Sequence, residues 1–191
     1  MYNHEKQELT LTDGEVLDLL AKVVAEKPNH VYMPPVMDAD ADPDGTCMYF
    51  EPSEGWIWVD DQEDPFQPQG EFVPSCLIGH VLAAAGVPYF DLMTDNDDTV
   101  TQITAIDLQI SERALQALAL AQKAQDGNLD AEIKRMQLSR SDHDHLMAKR
   151  LSRVIYDSDL KDLDTRRSTP THRFPWRVAG EVAKVAMETL Q

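Results

Sequence analysis

The sequence predicts an α+β fold, mainly helical with a small antiparallel β-sheet, and three observations carry that expectation. Residues Leu11 to Val16 hold a complete helix-start signal, followed by apolar residues at helical spacing. The stretch Phe72 to Pro88 is the most apolar run of its length and has its own start and stop signals. Between the two lie short segments rich in aromatic and β-branched residues, punctuated by Pro and Gly.

Thr12-Asp-Gly-Glu15 is a capping box, with Leu11 and Val16 at the positions of a hydrophobic staple. The helix it opens, roughly 13–26, places Val16, Leu19, Leu20, Val23 and Val24 on one face, and Pro28 ends it. Val31-Tyr-Met33 reads as extended, and Asp38 to Gly45 as an acidic, turn-rich loop. Cys47 to Glu51 and Trp56 to Val59 read as two strands joined into a hairpin by Pro52-Ser-Glu-Gly55. This places the sheet at about residues 31–59. Asp60 to Gly70, with Pro65 and Pro68, reads as an exposed acidic loop.

In the apolar run, Pro74 and Ser75 mark a helix start and Gly86 with Pro88 its end. Leu77, Ile78, Val81, Leu82 and Ala85 share a broad face, while Gly79 and the alanines at 83–85 keep the helix thin enough for close packing. This is the expected central helix. Tyr89 to Met93 reads as a helical turn and Asp95 to Asp98 as a turn. Ser111 caps a helix of about 112–126 that turns Ala114, Leu115, Leu118, Ala119 and Ala121 inward, and Asp126-Gly-Asn128 stops it. Leu129 to Tyr156 is a long helical pattern with a break expected near Ser139-Arg-Ser141. Asp157 to His172 reads as a loop. A last helix, about 176–190, carries Val178, Val182, Val185, Ala186 and Leu190. The expected organisation is an acidic α+β core domain, residues 1–128, with a helical C-terminal extension, residues 129–191, packed on it.

Charge is the most unusual property. The formal net charge is −17, and no Lys or Arg occurs between Lys27 and Arg113. The segment from Pro28 to Glu112 holds 17 acids, so it accounts for the whole net charge, and the remaining 17 acids and 17 bases balance. Such a segment repels polyanions, which argues against direct nucleic-acid or anionic-membrane binding by residues 28–112. The 129–191 tail carries 12 bases against 10 acids, interleaved in a way that favours pairing on helix faces or docking on the acidic half. The longest apolar run is far shorter than a bilayer span and no charged-then-apolar leader opens the chain, so the expectation is a soluble cytoplasmic protein. The two cysteines, Cys47 and Cys76, are by default free thiols in a reducing compartment, with a single bridge between them as the alternative.

Several residue patterns invite a chemical reading. Asp40, Asp42, Asp44, Gly45 and Glu51 satisfy the spacing of a calcium-binding EF-hand loop. Pro34 and Pro35 exclude the incoming helix, and Cys47 to Phe50 reads as strand where the outgoing helix belongs, so a solvated acidic turn is the better reading. Cys76 and His80 are four apart and share a helix face, a spacing for two metal ligands or for a cysteine nucleophile with a histidine base. Their place in the most apolar helix favours a structural role over either. Asp142-His-Asp-His145 alternates ligand-type residues, but on a helix His143 and His145 point apart, so a solvated face is the better account. No catalytic residue, metal site or cofactor is favoured.

Cys47-Met-Tyr49, the segment Pro74-Ser-Cys-Leu-Ile-Gly-His-Val-Leu82 with Gly86-Val-Pro88, and Ala119-Leu-Ala-Gln-Lys-Ala-Gln-Asp-Gly127 are similar to segments of small uncharacterised proteins of actinobacteria and their phages. The resemblance covers about residues 30–128 and implies no activity. It implies a setting, that of a phage accessory protein in the cytoplasm of an infected or host bacterium. Many such proteins follow Gln-Asp-Gly with a tryptophan; here Leu129 and Asp130 follow, which marks the tail as a private addition. The expected function is non-enzymatic: an acidic surface centred on Asp60, Asp61, Glu63 and Asp64, with Trp56 and Trp58, binds a basic host protein. Resembling DNA's charge to sequester a nucleic-acid-binding protein is one concrete form. A metal-dependent or Cys/His hydrolase centred on Cys76 and His80, and a calcium module through Asp40 to Glu51, are the alternatives.

Overall fold

A computed structural model of the chain describes residues 1–33, 48–58, 66–92, 99–157 and 173–190, with the backbone alone at Trp56, Trp58 and Phe66. The described chain is mainly helical α+β. Its elements in order are β1 (Tyr2–Asn3), β2 (Glu8–Thr10), α1 (Asp13–Glu26), β3 (Phe50–Pro52), β4 (Trp56–Trp58), β5 (Phe66–Pro68) and β6 (Phe72–Pro74). There follow α2 (Leu77–Ala84), two 3₁₀ turns (Tyr89–Leu92 and Val100–Gln102), β7 (Asp107–Gln109), α3 (Glu112–Asp126), α4 (Leu129–Leu138), α5 (Asp142–Asp157) and α6 (Trp176–Thr189).

Local chemistry explains most of the helix boundaries. At α1 the Glu15 amide donates to the Thr12 hydroxyl and the Thr12 amide donates to the Glu15 carboxylate, a complete capping box. Helix α2 begins one residue later than Ser75 suggests, because the Cys76 sulfur is the cap and accepts from the Gly79 amide. It ends in a Schellman motif, in which Gly86, at φ +95°, donates to Ala83 and Val87 donates to Leu82. Ser111 caps α3, and Gly127 ends it in the left-handed region. The expected break falls at Ser139, whose extended backbone separates α4 from α5, while the Ser141 hydroxyl accepts from the Asp144 amide at the new helix start.

The core is built on α1, α2, α3 and α6. Helix α6 packs along α3 and α1, and α5 packs on both α4 and α6. Leu82, Leu118, Leu151, Val182 and Trp176 are all buried in one continuous cluster, so residues of 1–128 and of 129–191 share a single core. Burial on this scale is the dominant favourable term in such a fold.

The β-structure departs from the expected hairpin. Strand β3 pairs antiparallel with β6, and β4 with β5, so the chain runs through residues 52–55 without reversing. Phe50 faces Pro74 in register and Trp58 faces Phe66, and the two pairings continue one another. The chain between them stays paired: Ser53 donates to Glu71 at 2.8 Å, Glu54 to Gln69 at 3.1 Å, and Gln69 to Gly55 at 2.9 Å. Gly55 and Gly70 absorb the irregularity at φ +83° and +80°. The result is one long two-stranded ribbon, residues 50–58 against 66–74. Pro52-Ser-Glu-Gly55 is therefore an irregular step within a strand rather than a hairpin turn. Val31 to Met33 forms no strand; Tyr32 instead is buried and its hydroxyl accepts from the Met48 amide. A second, mixed sheet has the order β1-β2-β7, with β1 antiparallel and β7 parallel to β2.

Gly79 is where α2 meets the ribbon. A Cβ placed there would stand 1.9 Å from the Tyr49 carbonyl oxygen, a backbone atom that cannot swing aside. Gly79→Ala is expected to cost about 3 kcal/mol of unfolding free energy. Gly14→Ala, at a helical position with nothing within 4 Å, should instead stabilise by about 0.5 kcal/mol. Urea denaturation of the two variants checks both, and equal behaviour would contradict the close approach.

Candidate functional site

Of the site residues singled out in the sequence, the ribbon and the start of α2 hold Glu51, Cys76 and His80 among the described residues. At its base the ribbon is anchored by aromatic packing. Phe72 stacks on Tyr89 with ring centroids 3.8 Å apart and planes within 4°, and Phe50 meets Tyr89 at 5.9 Å. The Ser75 amide donates to the Tyr49 carbonyl at 2.9 Å. Beyond this base, β4 and β5 pair with each other, opposing Trp56 to Pro68 and Trp58 to Phe66. Ile57 stands opposite Gln67 in the same pairing. Ile57 is 45% exposed and Val73 38%. Asp60, Asp61, Glu63 and Asp64 fall between β4 and β5 and lie outside the described residues, as do the side chains of Trp56 and Trp58.

The electrostatics of this half differ from those of the rest of the chain. Six acids of the cation-free segment are described: Glu51, Glu54, Glu71, Asp91, Asp107 and Glu112. None of them forms an ion pair among the described residues. Asp91 accepts from the Tyr2 hydroxyl and from Gln7 Nε2, Asp107 from Gln109, and Glu112 from Gln116, all neutral donors. Outside this segment some acids are ion-paired. Asp13 pairs with Arg113 and accepts from Ser111, and these contacts hold its carboxyl below the usual range. Glu132 pairs with both Lys123 and Arg135.

Cys76 is disulfide-bonded and no described cysteine is free, which corrects the expectation of free thiols. Cys47, the only other cysteine of the chain, lies outside the described residues. A disulfide sulfur offers neither a thiolate nucleophile nor a thiolate ligand. His80 lies half-buried against the edge of Trp176, with ring centroids 5.0 Å apart. His30 also packs on that indole, with ring centroids 4.7 Å apart, and Lys27 Nζ stands 5.8 Å from its centroid. Glu51 sits in β3 opposite Val73, so a strand stands where an EF-hand needs its outgoing helix; Asp40, Asp42 and Asp44 lie outside the described residues. His143 and His145 are in the first turn of α5, and His143 Nε2 lies 3.2 Å from the Thr189 carbonyl oxygen. Among the described residues no three His, Cys, Asp or Glu side chains cluster to hold a metal.

Two residues of this site escape sequence reading. Gln122 and Gln125 are buried in α3, where amides are rarely found. Gln125 Oε1 accepts from the Leu77 amide at the start of α2, and Gln122 Oε1 accepts from Val100 at the start of the second 3₁₀ turn, both at 2.9 Å. Each amide side chain caps a different element from within the core. Their three-residue spacing within an alanine-rich helix is the signal that could have found them.

His80 makes the site pH-sensitive. Burial lowers the pKa of His80, and the nearby Lys27 adds to the effect, while Glu26 and a hydrogen bond to the Pro74 carbonyl oppose it. A histidine whose folded pKa is depressed contributes stability that is present above its unfolded pKa of about 6.5 and lost as pH falls below it. The melting temperature is therefore expected to drop between pH 7.5 and 5.5, and to drop less in His80→Gln; identical pH profiles would contradict the assignment. Compared with known proteins, the chain matches no family model, no curated sequence and no solved structure.

Proposed function

We propose that this chain is a non-catalytic binding protein whose acidic ribbon engages a basic partner protein. The single observation that supports this most is the absence of any ion pair on the described acids of residues 28–112, in a segment with no cation of its own. Acids left unneutralised within a fold raise its self-repulsion, and a basic partner relieves it. The ribbon's geometry suits the role, because Glu54, Ile57, Glu71 and Val73 on it are exposed. The disulfide at Cys76 weighs against a cysteine hydrolase. No helix among the described residues is long and apolar enough to cross a membrane. The resemblance to proteins of actinobacteria and their phages makes a host protein the natural partner. Mimicry of DNA's charge toward a nucleic-acid-binding protein is the concrete form we favour.

Partner capture from an actinobacterial lysate, followed by stopped-flow kinetics on the purified pair, tests the reading. Exposed charges are screened over about 10 Å at ~0.1 M salt, so raising salt should slow association far more than it speeds dissociation. Reversal of Asp60, Asp61, Glu63 and Asp64 to lysine should slow association by about tenfold or more while leaving the circular dichroism unchanged. Capture that survives both high salt and the fourfold reversal, yet fails in Trp56→Ala, would replace the acidic contact with an apolar one.

A further inference from the structure

On the side of the core formed by α3, α4 and α5, a cleft of about 580 Å³ opens between these helices, the second 3₁₀ turn and the end of α6. Its volume falls in the range of small-molecule sites. The floor is apolar and built from Leu120, Met136 and Met147, all buried, together with Leu190. Methionine side chains adapt to the shape of what lies against them. The rim is polar and includes Thr101, Gln102, Lys123, Arg135 and His143.

The arrangement of Lys123 and Arg135 points to the ligand. Glu132, whose side chain is 12% exposed, stands between them, accepting from Lys123 Nζ at 2.6 Å and from Arg135 Nε and Nη2 at 2.9 and 2.5 Å. One carboxylate thus aligns two cations at the cleft. Both of its oxygens are engaged, and the pairing holds its pKa below the usual range although burial alone would raise it. Lys123 has two further N–H donors and Arg135 three, none with an acceptor among the described residues. Asp144, also at the cleft, balances the formal charge with Glu132, so what the cleft offers an anion is the remaining N–H donors of Lys123 and Arg135. An acceptor-rich headgroup above an apolar floor is what such a cleft fits.

We propose that this cleft is a binding site for a small organic monoanion, a carboxylate or its equivalent on an apolar body, held by Lys123 and Arg135 through Glu132. The site is separate from the acidic ribbon and does not depend on its function. Holding two cations on one partly buried carboxylate lowers the ordering cost that flexible side chains otherwise bring to anion binding.

Calorimetric titration with 2-naphthoate, and with neutral 2-naphthamide as control, tests the proposal on the intact chain. Naphthoate should bind saturably at one site and naphthamide about tenfold more weakly or worse, since a charge-assisted hydrogen bond outweighs a neutral one. Lys123→Met with Arg135→Met should weaken naphthoate by about tenfold or more, and Ala119→Phe, which fills the cleft from a half-buried helix position, should abolish it. Should the double variant lose its circular dichroism signal, Arg135→Met alone carries the test, because that side chain is 64% exposed. Absence of saturable naphthoate binding, equal binding of naphthamide, or an affinity unchanged by the arginine substitution would each overturn the proposal.

Discussion

A helix that starts inside a core must find partners for its free amide groups, and the start of α2 is the constraint on which the rest of this structure depends. Leu77, Ile78 and Gly79 are all buried, so water cannot satisfy them. The Leu77 amide is taken by Gln125 from α3, the Gly79 amide by the Cys76 sulfur, and the His80 amide by the Cys76 carbonyl. The Tyr49 carbonyl accepts from Ser75 and lies so close to Gly79 that only glycine fits. Three separate stretches of sequence thereby meet at one helix end. Unsatisfied, each buried donor would cost about 1–3 kcal/mol, so the junction specifies position as well as stability.

Beyond that junction, the ion pairs among the described residues all fall outside residues 28–112. Away from the ribbon some acids pair with bases: Asp13 with Arg113 joins the starts of α1 and α3, and Glu132 with Lys123 and Arg135 joins α3 to α4. The described acids of residues 28–112 have no such partners, and Asp91, Asp107 and Glu112 accept from neutral donors. The Tyr2 hydroxyl bound to Asp91 is the clearest case, since burial first and the adjacent carboxylate second push that phenol well above its usual range. Surface ion pairs contribute little to stability, so their segregation bears more on what the surface attracts than on how the chain folds.

The legibility of the fold follows the range of the interactions. Capping signals are local, so Thr12 with Glu15, Ser111, Gly86 and the break at Ser139 could all be read from neighbours within a few residues. Strand pairing is not local. Pro52-Ser-Glu-Gly55 has the composition of a turn, yet Phe50 pairs with Pro74 rather than with a residue near 57, because register is decided by the partner strand. Strands β2 and β7 are three residues each with one inward leucine, too short for alternation to register. Gln122 and Gln125 go unread because their partners, Val100 and Leu77, are 22 and 48 positions away. Cys76 and His80 were visible as a pair on one helix face, but the disulfide and the Trp176 packing that define their roles are tertiary facts.

If the junction at the start of α2 organises the fold, its amides should open only when the whole molecule unfolds. Native-state hydrogen exchange followed by NMR measures this directly. The Leu77 and Gly79 amides are expected in the slowest class, exchanging with the free energy of global unfolding, and Leu77 should move to a faster class in Gln125→Ala. Leu77 and Gly79 amides that exchange as fast as those of the exposed ribbon residues would contradict the account.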